Sequence, residues 1–487
     1  MKNVFKLSFL LFAFLCIGCD TLDLVPVSSK SVEGFYKTEL QIEQAVNGAY
    51  ASLQSAFVTE NYSYMLTEAA SDNAFQGTEY DDGSISRATV TSSLPILYQA
   101  WSVPYVGINR CNEVLHKIAD IPMSDAKRQQ FTGEVKLIRA LLYFDLVRMF
   151  GKAVKVTEPV AIDRSYDVPA SSAEEIYDLI VTDLTEAATL LPSSYNAANL
   201  GRATSWAAKG FLGKVYLFRS GYPLKKNEWD KARGLFEEII KSGNFEFTAN
   251  YEDIYSHANE SGKQSVFSIR FSNTIIGEGN PFPYRNAPNP IAKDDVLFGG
   301  SPYNLFLSPD LLNSFEANDV RKTVAIRSSW KKNTGDIITN EPFSQKYLNG
   351  PINENRWDID WIALGYTDIL LMHAECLNEM GFVANGEALQ TLNRVRVRAG
   401  LKARTPAEIP DQNSFRLAME TERRHEFCFE NLRWFDLVRT SRALEVKRKF
   451  LSAYNLEGNM KSENQYVYPI PQRVINVSPV ITQNAGY

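Results

Sequence analysis

Histidine is scarce in this chain: four residues among 487, at positions 116, 257, 373 and 425, scattered over unrelated segments. A cluster of imidazole ligands would need those segments to converge by chance, so no bound metal is expected. His425-Glu426 opens like the helix of a zinc protease, yet the position that needs the second histidine holds Phe429. Helix electrostatics is the expected role of His425. Phosphate-loop and Gly-x-Ser-x-Gly patterns are missing, and Gly277-Glu278-Gly279 lacks the third glycine of a dinucleotide loop. No cofactor is expected. Lysine and arginine form no run long enough for a nucleic-acid stripe, and the formal net charge is -6. Nucleic acid is therefore excluded as a partner. Apolar runs of about 20 residues, which would cross roughly 30 Å of hydrocarbon, are absent too.

What hydrophobic run there is lies at the start. Lys2 and Lys6 precede an apolar stretch from Leu7 to Gly18, broken by Ser8 alone, which reads as an export signal too short to remain as an anchor. It ends at Leu15-Cys16-Ile17-Gly18-Cys19. A small residue before a cysteine resembles a bacterial lipoprotein signal, so residues 1–18 are expected to be removed and Cys19 to carry lipid; the alternative is an ordinary secretory peptide. Several fatty chains would anchor the mature chain stably where one would not. Cys111, Cys376 and Cys428 then remain, an odd and widely spaced set that indicates no disulfide scaffold.

The remainder reads as mainly α-helical. Ile42, Val46, Ala49 and Leu53 recur at helical spacing behind a capping box at Thr38 and Gln41. Glu134 to Phe150 is apolar on most faces and stops at Gly151. Ser172-x-x-Glu175 opens another helix, and Leu184, Ala187 and Pro192 have the spacing of the second helix of a tetratricopeptide repeat. Leu212-Gly213-x-x-Tyr216 and Ala232-x-x-x-Phe236 match parts of a further repeat whose turn is lengthened around Gly221-Tyr222-Pro223. Asp368 to Glu379 and Ala388 to Ala399 suggest one more pair. Stacked helical hairpins are expected, with a few short strands near Val266 to Phe271. Two stretches break the rhythm: residues 57–100, rich in Ser, Thr and Asp, and 271–360, dense in Asn, Pro and Gly with interleaved aromatics. Loops longer than about 15 residues are uncommon in compact domains unless functional or disordered, and aromatics argue against disorder. The ligand site is expected there.

Several motifs now acquire a common meaning. Leu22 to Pro26 (LDLVP), Trp101-x-x-x-Tyr105 with Ile108 to Asn112 (INRCN), Arg139 to Gly151 (RALLYFDLVRMFG), Gly201 to Thr204 (GRAT), Tyr366 to Glu375 (YTDILLMHAE), Glu422 to Glu426 (ERRHE), Arg433 to Arg439 (RWFDLVR) and Tyr468 to Pro471 (YPIP) follow one another over nearly the whole mature chain. In this order they resemble the SusD-like family, also called RagB/SusD. Asn431 stands where the family usually has Gly; a left-handed residue after a helix ending near Glu430 explains it, since Asn is second choice to Gly there. The repeated Phe-Asp-Leu-Val-Arg, at 144–148 and 435–439, places Asp and Arg at i, i+3 and reads as a structural helix-locking pair.

The resemblance implies residues 19–487 form one nutrient-binding unit, a surface-exposed lipoprotein of the outer membrane. It would capture an oligosaccharide or polysaccharide without catalysis and deliver it to a SusC-like TonB-dependent transporter. Peptide cargo on the same architecture is the nearest alternative. A surface glycoside hydrolase, needing two carboxylates roughly 5 to 9.5 Å apart, and a purely structural scaffold are further rivals. Sugar capture requires flat aromatic faces and polar groups for the hydroxyls. Among the loop residues, Phe75, Tyr80, Tyr98, Tyr284, Tyr303 and Trp330 are expected to supply the faces, and Asp72, Asn73 and Arg87 the polar partners.

Overall fold

The computed structural model describes residues 35–75, 81–160, 167–274, 278–296, 300, 306–353 and 356–487. The export signal and Cys19 lie outside them. Helix α1 (Glu39–Gln54) opens on the expected capping box: Thr38 Oγ1 accepts the Gln41 N–H while the Gln41 carboxamide accepts that of Thr38. Helices α2 (Pro95–Lys117) and α3 (Asp125–Phe150) form a hairpin. Gly151 closes α3 at φ 69°, as its sequence suggests, whereas the helix starts at Asp125 rather than Glu134 because Ser124 caps the earlier turn. Ser172 and Glu175 make the second capping box, at the head of α4 (Ala173–Leu190).

Then come α5 (Ser205–Ser220), α6 (Trp229–Lys241), α7 (Tyr366–Gly381), α8 (Glu387–Arg398), α9 (Gln412–Glu426), α10 (Arg433–Arg439) and α11 (Ala443–Ser452). From α1 to α8 each helix packs on the next, and α7 also meets α9. This is tetratricopeptide-like stacking: each hairpin buries its apolar stripe only against its neighbours. The repeat signature has a steric reason at Gly213, where an added Cβ would lie 2.6 Å from Cε1 of Phe236 on α6. A large core runs through the stack, and a satellite cluster around Leu371, Leu392 and Phe415 joins α7, α8 and α9.

Two expectations need correcting. Residues 57–70 are not a loop. They continue α1 as short helical turns over Ser55–Thr59, Tyr62–Tyr64 and Met65–Ala69, with Tyr62, Tyr64, Met65 and Leu66 buried. The polar residues that suggested a loop are turned inward on their own backbone: Thr67 Oγ1 donates to the Ser63 carbonyl at 2.6 Å and Ser71 Oγ to that of Glu68 at 2.8 Å. His425 is also not a helix-end cation. Burial, followed by the surrounding arginines, pushes its pKa down to about 3, and its Nε2 lies 2.9 Å from Ser314 Oγ.

The strands are short and pairwise. β1 (Ala74–Phe75) pairs with β3 (Phe306–Leu307), and β2 (Ser265–Ile269), the strand expected near Val266, pairs with β4 (Trp361–Gly365). Asn431 takes φ 63°, the left-handed conformation its position calls for, although α9 ends earlier, at Glu426.

Candidate binding site

The β1–β3 ladder joins the two excursions. Ala74 faces Leu307 and Phe75 faces Phe306, both antiparallel. Residues directly opposite in such a ladder project to the same side of it, so the two phenylalanine rings share a face. Phe75 stacks on Tyr454, beyond α11, with ring centres 3.9 Å apart and planes 7° from parallel. Phe450 meets both from beneath, edge-on, at 6.1 and 5.5 Å. Phe306 remains 39% exposed.

Below this cluster lies a charged clamp. The guanidinium of Arg433 donates to both carboxylate oxygens of Asp72, at 2.8 and 2.9 Å, and Arg424 reaches one of them at 3.1 Å. Burial pushes the Asp72 carboxyl up, but the two guanidiniums outweigh it and hold the group well below the usual carboxylate range. Asn73 bridges the Glu68 carboxylate (3.0 Å) and Arg424 Nε (3.0 Å). Ser308 closes the clamp from the second excursion, its N–H donating to the Asn73 carbonyl and its hydroxyl to that of Asp72. Lys447 Nζ donates to the Ser71 carbonyl at 2.8 Å, and burial lowers its pKa to about 7.

The predicted site residues therefore separate. Asp72 and Asn73 are buried and bonded, and they brace the ladder. Trp330 is 3% exposed and its indole N–H is taken by the Glu341 carbonyl at 2.9 Å, so it packs within a small ribbon. Phe75 belongs to the ring cluster. Tyr98, half-buried at the start of α2, lies under the Arg473 guanidinium at 4.3 Å and lines a groove of about 490 Å³. Arg87 is half-buried, and its carbonyl accepts from Asn459 at 3.0 Å. Tyr284 is half-buried on the short helix Phe282–Asn286, whose Arg285 donates to the Val58 carbonyl at 3.0 Å, a second contact between the excursions. Tyr80 and Tyr303 lie outside the described residues. Phe306, Tyr454 and Arg473 escape the sequence reading. Phe306 lies inside a predicted excursion among many aromatics, while Tyr454 meets Phe75 and Arg473 meets Tyr98 only through contacts distant in sequence.

Two family models match, and they divide the chain. One, described as starch-binding associating with outer membrane, covers residues 20–217; the other, the SusD family, covers residues 258–487. The chain belongs to the SusD-like family. The ring cluster straddles the two matches, with Phe75 in the first and Phe450 and Tyr454 in the second. A SusD-like protein of Formosa agariphila is 25% identical over 542 residues, covering 100% of this chain and 99% of its own. A SusD superfamily structure from Parabacteroides distasonis superposes with a TM-score of 0.80 at 25% identity, covering 92% of this chain and 99% of that one. A structure titled as a laminarin binding SusD-like protein gives 0.76 at 25% identity, over 93% of this SusD-like chain and 100% of that one. Among the described residues, no helix is long and apolar enough to cross a membrane.

Proposed function

We propose that this protein captures an oligosaccharide or polysaccharide at the bacterial surface and passes it to a SusC-like TonB-dependent transporter, without breaking a bond in it. The observation that carries the reading is the antiparallel pairing of Phe75 with Phe306, which joins both excursions beside the Phe75–Tyr454 stack and leaves Phe306 39% exposed. Such an exposed ring suits the C–H side of a sugar ring, each stacked ring contributing about 1 kcal/mol. The laminarin binding relative supports a glucan-like cargo. Residues 1–18 would be cleaved and Cys19 lipidated, fixing the chain to the outer membrane.

Titration calorimetry of the mature protein against a panel of polysaccharides and peptides tests this. At least one glycan should bind and be recovered intact, and Phe306→Ala should weaken it about fivefold. Binding of peptides alone, or shortening of any glycan, would sink the reading.

A further inference from the structure

A second concavity owes nothing to the excursions. It encloses about 670 Å³ between the turn that joins α5 to α6 and helices α7, α9 and α10. Its rim is the lengthened turn that makes the tetratricopeptide repeat irregular. That turn is held in place: the Tyr222 N–H donates to the Arg439 carbonyl at 2.8 Å, the Lys226 N–H to that of Arg219 at 2.9 Å, and the Glu228 N–H to Ser220 Oγ at 2.7 Å. Tyr222 and Trp229 are half-buried there and line the opening.

Inside the cleft the arginines and carboxylates are paired. Each lining arginine is paired: Arg416 with Glu379, Arg442 with Glu420 and Glu445, Arg439 with Glu375 and Asp436, Arg423 with Asp436, and Arg433 with Asp72. Every lining carboxylate appears in those same pairs. Lys225, exposed on the turn, is the lining cation without an ion pair among the described residues, and the interior of the cleft recruits neither an anion nor a cation. One group is unmatched. Asn378 is 1% exposed, and its Nδ2 donates to Glu379 Oε1 at 3.0 Å, but its Oδ1 has no hydrogen-bond partner. A buried acceptor left open costs about 1–3 kcal/mol, and it calls for an O–H or N–H donor brought into the cleft.

We propose that this cleft is a second saccharide subsite, taking a neutral sugar whose hydroxyl donates to Asn378 Oδ1 while its C–H face rests on Trp229 and Tyr222. The assignment goes beyond the excursion site and rests on the reading that the cargo is a saccharide. A volume of about 670 Å³ falls in the range of ligand pockets, roughly 300–1,000 Å³. A neutral, hydroxyl-rich ligand with an apolar face meets all three features: paired charges, an open acceptor and rim aromatics. Two subsites on one chain would raise the retention of a long polymer through effective concentration, with no stronger single contact.

Fluorine NMR of the mature protein labelled with 5-fluorotryptophan tests it, the Trp229 resonance being assigned from Trp229→Phe. The probes are neutral hexasaccharides: laminarihexaose, maltohexaose and cellohexaose, with trialanine as the peptide comparison. A hexasaccharide should shift the Trp229 signal in the parent and also in Phe306→Ala. Asn413→Phe, a change at an exposed rim position, and Asn378→Ala should each weaken that response at least fivefold. A Trp229 signal unmoved at millimolar sugar, while calorimetry records binding that Phe306→Ala weakens, would overturn the cleft and leave the excursion site standing. A moving Trp229 signal with calorimetric affinity unaffected by Phe306→Ala would retain the cleft and overturn the excursion site. Trialanine acting where the sugars do not would overturn the saccharide assignment.

Discussion

The guanidinium carbon of Arg148 lies 4.1 Å from the ring centre of Phe435 and 4.1 Å from that of Phe144. The two copies of Phe-Asp-Leu-Val-Arg, far apart in sequence, are thus stacked on one another. The arginine of the first is held between a ring of each copy, and Phe218 of α5 closes the arrangement at 5.7 Å. Each copy also makes its own i, i+3 pair, Asp145–Arg148 at 3.2 Å and Asp436–Arg439 at 2.8 Å. The repetition therefore joins α3 to α10, and through them the two halves of the chain.

Arg148→Met should be severe. It leaves Asp145 buried without its cation, and breaking a buried pair from one side typically costs about 3–5 kcal/mol. Burial already pushes the Asp145 carboxyl up from 3.8 to about 6 against the pull of Arg148. A carboxyl whose pKa rises on folding favours the folded state below 3.8, and that contribution is lost as pH climbs through about 6. The double variant Asp145→Asn/Arg148→Met should recover most of the loss. Urea midpoints of the three proteins at pH 7 check this, and a double variant no better than the single would refute it.

Asp72 and Asp436 have the opposite sign. Burial raises both, but Arg433 and Arg424 around the first, and Arg423 and Arg439 around the second, hold them well below the ordinary carboxylate range. Their stabilisation is present above about 3.8 and is lost as pH falls below it. Asp72→Asn should accordingly flatten the acid limb of a stability–pH curve between pH 4 and 2, by up to about 1.4 kcal/mol per pH unit. An acid slope identical to the parent's would contradict the role given to the Asp72–Arg433 clamp.

Much of the scaffold was legible because its signals are local. Thr38 with Gln41, Ser172 with Glu175, and Gly151 each mark a helix end through hydrogen bonds or a dihedral made within a few residues. The first excursion misled because Ser63, Thr67 and Ser71 look solvent-seeking in sequence while their hydroxyls return to the preceding turn. The site was legible only in outline. That residues 57–100 and 271–360 meet could be anticipated, but which rings stay outside depends on the Phe75–Phe306 register and on Tyr454 arriving from beyond α11. Asp72 and Trp330 have the composition of ligand residues, and the sequence does not display the partners that bury them, Arg433 and Glu341.

Tyr454 tests that architecture from a position outside both excursions. Its ring backs Phe75 face to face, so Tyr454→Ala removes both an aromatic surface and the support of another. A stacked aromatic pair contributes about 0.5–1.5 kcal/mol beyond its area. Glycan affinity should fall about three- to tenfold while the far-ultraviolet dichroism stays unchanged. Tyr454→Phe should bind as the parent does, because the stack needs the ring rather than the hydroxyl. Loss of affinity in the phenylalanine variant would point to a hydroxyl contact and against stacking.

Two glycines on facing helices should respond with opposite signs to the same substitution. On α5, a Cβ at Gly213 would lie 2.6 Å from Cε1 and 3.0 Å from Cδ1 and Cζ of Phe236, a fully buried ring with no room to withdraw. Overpacking of this kind costs about 1–3 kcal/mol, more than the roughly 1 kcal/mol of helix propensity gained from alanine. On α6, a Cβ at Gly234 meets nothing within 4 Å, so the propensity gain stands alone. Gly213→Ala should lower the urea midpoint and Gly234→Ala should raise it. Adding Phe236→Leu to Gly213→Ala should return part of the loss, since the smaller side chain relieves the clash that makes glycine necessary where α5 meets α6. Equal effects at the two glycines would mean that the α5–α6 contact is loose enough to absorb a methyl group, and the close packing of this repeat would have to be abandoned.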